Sequence, residues 1–163
     1  MTFLMIMAAV FAAEYAIKEY VNTSRLQGTR KELPGGRVVL QNVHNKGTAL
    51  GWLKLKKEEH MELSAMVLGS VGGSFVSQLL HRGRFLKKLG LALILGGGIS
   101  NYAERRKCGY VTDYVGIKLK SGNLKNREIV FNLADAAVVL GTVLWVISLI
   151  CPSHSEKKNK GKR

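Results

Sequence analysis

Four apolar stretches dominate the chain and leave little room for a water-soluble fold. Met1 to Ala13 carries no charge, and the pattern continues through Ile17 despite Glu14. Leu63 to Leu80 is 18 uncharged residues and Leu89 to Ala103 is 15. Ala136 to Cys151 is 16, and the stretch lengthens to 21 if it begins at Phe131. A helix needs about 17–25 residues to cross a bilayer core. None of the four is a generous span alone, and three become adequate with a polar group in an end turn. Four such segments in 163 residues are nonetheless too many for a soluble fold, whose helices show a polar face. The expected fold is an α-helical integral membrane protein with a four-transmembrane-helix bundle. Its helices fall at about 1–20, 61–80, 86–104 and 131–151, in one membrane-embedded domain over 1–151.

Charge is segregated from these runs. The net charge is +14, yet hydrophobic residues make up 47% of the chain. That apolar content excludes disorder, and two cysteines exclude a disulfide scaffold. Cys108 and Cys151 fall at opposite membrane surfaces, too far apart to bridge. The basic residues are dispersed among loops separated by spans, so one continuous nucleic-acid-binding face cannot form. No Lys or Arg precedes Lys18, so the first run lacks the basic n-region of a cleavable signal peptide and reads as a retained helix. By raw count the two long loops hold more Lys and Arg than the rest, 15 against 9 in the loop 81–88 and the tail 152–163. By density the short loop and the tail win, and short segments are what the positive-inside rule weighs. This leans toward both termini cytoplasmic, with 152–163 a basic solvated tail.

The first long loop has structure of its own. Pro34-Gly35-Gly36 is a turn signal. Arg37 to Val43 and Ala49 to Leu55 read as short strands, and Tyr110 to Leu119 as a third. Together they predict a small extracytoplasmic sheet over about 35–57 and 109–120, with Trp52 at the interfacial level. Leu63 to Leu80 carries Gly69, Ser70, Gly72, Gly73, Ser74 and Ser77, residues that permit close helix–helix approach in lipid.

Ionisable residues at the mouth of a span are costly and so are candidates for function. Glu14 and Lys18 lie four apart on one helical face, a spacing that also suits a self-neutralising ion pair. Asn101, Glu104 and Arg105 share a face at the end of the third helix. They follow Gly96-Gly97-Gly98, and each glycine costs about 1 kcal/mol in a helix relative to alanine, so some partner must need close approach there. Asp135 opens the last span, with Asn132 placed to cap it. Asp113 lies 22 residues earlier in an apolar extended segment. Two carboxylates brought together cannot both ionise. The ionised member can take a proton from water while the protonated one donates to a carbonyl oxygen. No cofactor is needed. The four histidines are scattered without metal-ligand spacing, and no metal is expected.

Four blocks, in order, resemble one family. His44-Asn45-Lys46-Gly47-Thr48-Ala49-Leu50-Gly51 resembles Asn-x-Gly-x-Ala-Phe. Gly96 to Arg105 resembles Gly-Gly-Ala-x-Gly-Asn-x-x-Asp-Arg. Gly109-Tyr110-Val111-Thr112-Asp113-Tyr114 resembles Gly-x-Val-x-Asp-Phe, and Phe131-Asn132-Leu133-Ala134-Asp135 matches Phe-Asn-x-Ala-Asp. On these motifs the chain is similar to lipoprotein signal peptidase, or signal peptidase II. The resemblance implies an aspartic endopeptidase of the bacterial cytoplasmic membrane, with Asp113 and Asp135 as its catalytic pair at the outer face. It would cut a diacylglyceryl-modified prolipoprotein just before the lipidated cysteine. By motif the supporting residues are Asn45, Gly47, Asn101, Arg105, Asn132 and Ala134, with Glu14 and Lys18 in the first helix. The resemblance also implies a monomer among membrane phospholipids, with globomycin as the family's inhibitor. Departures are Glu14 and Glu104 for Asp, Leu50 for Phe, Ser100 for Gly, and Ile129-Val130 before Phe131. They bear on substrate preference and inhibitor sensitivity. The competing readings are a non-catalytic paralogue that binds lipidated peptides and a small transporter with Glu14, Lys18 and Asp135 as its polar path.

Overall fold

A computed structural model describes residues 1–24, 30–47, 56–119 and 127–151. Four long helices appear: α1 (Thr2–Thr23), α2 (Lys57–Leu79), α3 (Phe85–Cys108) and α4 (Leu133–Ile150). At 1.5 Å per residue they run from about 27 to about 36 Å. Among the described residues, α4 is the helix both long and apolar enough to cross a membrane, with a mean hydropathy of 2.2. α2 and α3 carry most of their charged residues near their ends, and α1 buries Glu14 and Lys18 in its second half. α2 begins at Lys57, ahead of its apolar run, because a capping box holds it there. The Lys56 N–H donates to Glu59 Oε2 at 2.9 Å, satisfying a group that helix geometry would leave unpaired.

Four strands form one antiparallel sheet in the order β1 (Lys31–Glu32), β2 (Val38–Asn45), β3 (Val111–Leu119), β4 (Arg127–Phe131). The turn Leu33 to Arg37 closes β1 onto β2. Gly35 and Gly36 take φ of 95° and 64° there, a region that disfavours side chains. β2 pairs with β3, Leu40 opposite Val115 and Val43 opposite Asp113, so a bulge falls between Leu40 and Val43. The expected strands at Arg37 to Val43 and Tyr110 to Leu119 correspond to β2 and β3. β4 has no counterpart in the sequence reading. The strand expected at Ala49 to Leu55, with Trp52, lies outside the described residues, as do Thr48, Leu50 and the tail 152–163.

α3 is the central element. Phe75, Leu91, Ala92 and Leu95 form the apolar core between α2 and α3, with Phe3, Met7 and Trp145 packed against it. The glycine run explains how three helices reach α3. A Cβ on Gly96 would lie 2.7 Å from the Met7 carbonyl oxygen of α1. On Gly97 it would strike the Ala134 carbonyl of α4, and on Gly98 it would meet Leu68 Cδ2 of α2 at 2.7 Å. Each glycine thus faces a different helix. Lower down, Gly90 and Gly141 make the same close crossing of α3 and α4, with 2.6 Å from each built Cβ to the other's carbonyl oxygen.

The small residues of α2 behave differently from expectation. Gly69, Gly72 and Gly73 have nothing within 4 Å of a built Cβ. They face away from the bundle, because α2 meets α3 through Leu68, Val71, Phe75 and Leu79 instead. A paired prediction follows. Gly97→Ala must push α3 from α4 and is expected to cost about 1–3 kcal/mol, the usual range for overpacking. Gly69→Ala is expected to be neutral or stabilising by about 1 kcal/mol, since alanine is the better helix former. Thermal unfolding of the detergent-solubilised protein reads both.

Candidate active site

The polar residues singled out above gather where the ends of α1, α3 and α4 meet strands β2 and β3. Asp113 lies on β3 and is 3% exposed. Asp135 stands in the first turn of α4. Asn132 joins them. Its Nδ2 donates to Asp113 Oδ1 at 2.7 Å, while its Oδ1 accepts from the Asp135 N–H at 2.9 Å. The Asn132 N–H in turn lies 3.3 Å from Asp135 Oδ2, completing a capping box. The Asn-x-x-Asp spacing therefore does two things. It starts the helix, and it fixes Asp135 beside the strand that carries Asp113.

Two more asparagines complete the pattern. Asn45 Nδ2 donates to Asp113 Oδ2 at 3.0 Å, and its Oδ1 accepts from the Gly47 N–H at 3.0 Å. Asn101 Nδ2 donates to Asp135 Oδ1 at 2.8 Å, and its Oδ1 accepts from Lys18 Nζ at 2.7 Å. All three amides thus have their oxygen occupied by a donor that cannot change roles. A backbone N–H or an ammonium never accepts, so each NH2 is obliged to face an aspartate.

Behind this layer sits a buried charged cluster. Lys18 Nζ lies 3.2 Å from Glu14 Oε1 and 2.9 Å from Glu104 Oε2, and Glu14 is 0% exposed. The i,i+4 pair read from the sequence exists, with a third member from α3. Glu104 accepts from the Thr112 N–H at 3.1 Å and from its hydroxyl at 2.6 Å. Glu14 Oε2 accepts from the Tyr114 hydroxyl at 2.8 Å. β3 therefore turns Asp113 to one side and Thr112 and Tyr114 to the other, as strand alternation requires.

Arg105 donates to the Gly47 carbonyl at 3.0 Å, tying α3 to the end of β2. Its Nε is buried without a hydrogen-bond partner among the described residues. Ala134 does not touch the carboxylates. It is fully buried, with its carbonyl against Gly97. Thr112 and Tyr114 were not among the sequence candidates. The signal available was alternation. In an extended segment, both neighbours of the candidate Asp113 must point to the opposite face.

Asp113 and Asp135 open onto a cleft of about 640 Å³. α3 floors it through Ile94 and Gly98. α2 supplies Met61 and Val67, and α4 supplies Val138 and Val139. Its far end is apolar and its near end holds the carboxylates, Asn45, Asn101 and Arg105. Burial holds the Asp113 carboxyl above the ordinary carboxylate range, the Asn45 hydrogen bond opposes that, and the Asp135 charge adds to the rise. With Asp135→Asn the charge is gone, so Asp113 is expected to titrate at lower pH than in the parent. Carboxyl infrared difference spectra across a pH series report the direction.

The family model for signal peptidase (SPase) II matches residues 6–151. The chain belongs to the signal peptidase II family. It is accordingly a peptidase. It is 29% identical to the lipoprotein signal peptidase of Moorella thermoacetica over 156 residues, covering 96% of this chain and 97% of that one. It is 27% identical to that of Lactiplantibacillus plantarum over 155 residues, covering 95% and 98%. Two solved bacterial membrane enzymes share the fold. One has a TM-score of 0.75 at 19% identity over 93% of this chain and 94% of the other. The second has 0.74 at 20% identity over 91% and 87%.

Proposed function

We propose that the chain is an aspartic endopeptidase that cleaves diacylglyceryl-modified prolipoproteins just before the lipidated cysteine, with Asp113 and Asp135 as its catalytic pair. The observation that carries this reading is the single amide of Asn132, which engages both aspartates at the wall of one cleft. The two carboxyls hold one proton between them, because burial and mutual repulsion oppose full ionisation. The ionised member takes a proton from water as the water attacks the scissile carbonyl. The protonated member donates to the carbonyl oxygen. The resulting tetrahedral species then returns a hydroxyl proton to that aspartate and takes the other aspartate's new proton on its nitrogen as the C–N bond breaks and the amine of the cysteine leaves. No covalent intermediate forms.

The apolar end of the cleft, between α2 and α4, suits the two acyl chains, and the polar end suits the peptide. Anchoring the chains in lipid sets the depth of the cysteine and makes the encounter a positioned one. Asn45, Asn101 and Asn132 orient the carboxylates, and Arg105 has a free Nε to offer the substrate backbone. Glu14 and Lys18 act from behind. All four helices cross the bacterial cytoplasmic membrane in this reading, with both termini cytoplasmic and the sheet outside. The basic residues Arg82 and Arg84 between α2 and α3, with Lys87 and Lys88 in the first turn of α3, support that orientation. The test is cleavage of a purified diacylglyceryl-modified precursor in vesicles, beside the same precursor without lipid. Cutting of the lipidated form before cysteine is the expected result. Binding of the lipidated precursor without cutting would replace a peptidase by a lipidated-peptide-binding protein.

A further inference from the structure

We propose that the Tyr114 hydroxyl, held by Glu14, is a positioning group that locks the catalytic strand to the catalytic helix. The inference rests on the peptidase reading above. The hydroxyl donates to Glu14 Oε2 at 2.8 Å and accepts from the Leu133 N–H at 3.0 Å. It therefore joins three elements at one oxygen. α1 brings Glu14, β3 brings Tyr114 next to Asp113, and α4 presents Leu133, two residues before Asp135. Leu133 is the first residue of α4, and its N–H is one of the four that helix geometry leaves without a partner. Asn132 takes up the Asp135 N–H, and the tyrosine takes up this one.

The direction of each bond is fixed. A backbone N–H must donate, so the tyrosine oxygen accepts there and its own proton goes to Glu14. Burial and the nearby carboxylate both push the phenol pKa up, so the hydroxyl stays a donor across the working pH range. Tyr114 is 8% exposed and Glu14 fully buried, so water cannot substitute cheaply for either. Glu14 stands where the resemblance supplies Asp, and Tyr114 stands at the position where the resembled block ends in Phe. The two changes fit one another.

The experiment compares Tyr114→Phe, Glu14→Asp and the double variant in nanodiscs, with two readouts. Amide hydrogen exchange by mass spectrometry follows the first turn of α4. Steady-state cleavage of a lipidated precursor gives kcat and KM. Tyr114→Phe is expected to speed exchange at Leu133 and its neighbours at least tenfold, and to lower kcat about tenfold with KM within twofold. Glu14→Asp is expected to do the same more weakly. The double variant is expected to be no worse than Tyr114→Phe, because withdrawing the carboxylate removes the orphan that the phenylalanine leaves. Unchanged exchange in Tyr114→Phe overturns the proposal. So does faster exchange with parental kcat, or losses in the two single variants that simply multiply in the double. If the parent itself fails to cut, the peptidase reading falls, and the exchange data alone decide whether the tyrosine ties α4 to β3.

Discussion

Replacing Asp113 or Asp135 with Asn is expected to lower cleavage of a lipidated prolipoprotein by at least about a thousandfold, within the usual worth of general acid–base groups. The protein is still expected to insert, but not with full stability. Both oxygens of Asp113 accept from an amide NH2, one from Asn45 and one from Asn132. An amide at position 113 must turn its own NH2 toward one of them, placing two donors face to face. That costs about 1–3 kcal/mol, the penalty for a buried group left unsatisfied. A second change separates the structural loss from the chemical one. Asp113→Asn combined with Asn45→Asp restores donor to acceptor across the same gap. It is expected to recover thermal stability and to recover no cleavage. Recovery of both would mean that either position can supply the carboxylate, and near-normal turnover in either single variant would remove the dyad from the mechanism.

The polar pattern was legible because its spacing has a physical meaning at short range. Asn132 and Asp135 stand three apart before an apolar run, which is a capping box whatever else it is. Asn101, Glu104 and Arg105 share a helical face for the same reason that Glu14 and Lys18 do. Which faces meet was not legible. Nothing local says that Lys18 reaches Asn101, 83 residues away, or that Glu104 receives Thr112 rather than pairing with Arg105. The glycines show the same limit. Six small residues in α2 and the run of three glycines in α3 look equally suited to close packing. Composition records that a backbone is approachable, whereas the approach itself is set by which apolar side chains turn the helix. In α2 those are Leu68, Val71, Phe75 and Leu79, and they turn the small residues outward. β4 was missed because its five residues, Arg127 to Phe131, begin with two charges and run into the capping box, so no alternation announces a strand. The structural role of Glu14 and Glu104 has no local signal in the sequence. Each places a carboxylate against the reverse side of β3, on Tyr114 and Thr112.

Lys18→Met is expected to be the most damaging change outside the carboxylate pair. The ammonium is the one cation within ion-pair distance of both Glu14 and Glu104 among the described residues. Removing it leaves two carboxylates in a buried niche, and breaking a buried pair from one side costs about 3–5 kcal/mol. That is a large share of the usual folding stability of about 5–15 kcal/mol, so lower yield and a sharply lowered melting temperature are expected. The site suffers separately. With its oxygen no longer held by Lys18, the Asn101 amide is free to turn, and Asp135 Oδ1 can lose its donor. Adding Glu14→Gln and Glu104→Gln to Lys18→Met neutralises the niche and is expected to restore much of the melting temperature. It is not expected to restore kcat, because neither new amide occupies the place from which the Lys18 ammonium held Asn101. A triple variant that regains both would reduce Lys18 to a counter-ion, and parental stability in Lys18→Met alone would mean that the ammonium does not hold the niche together.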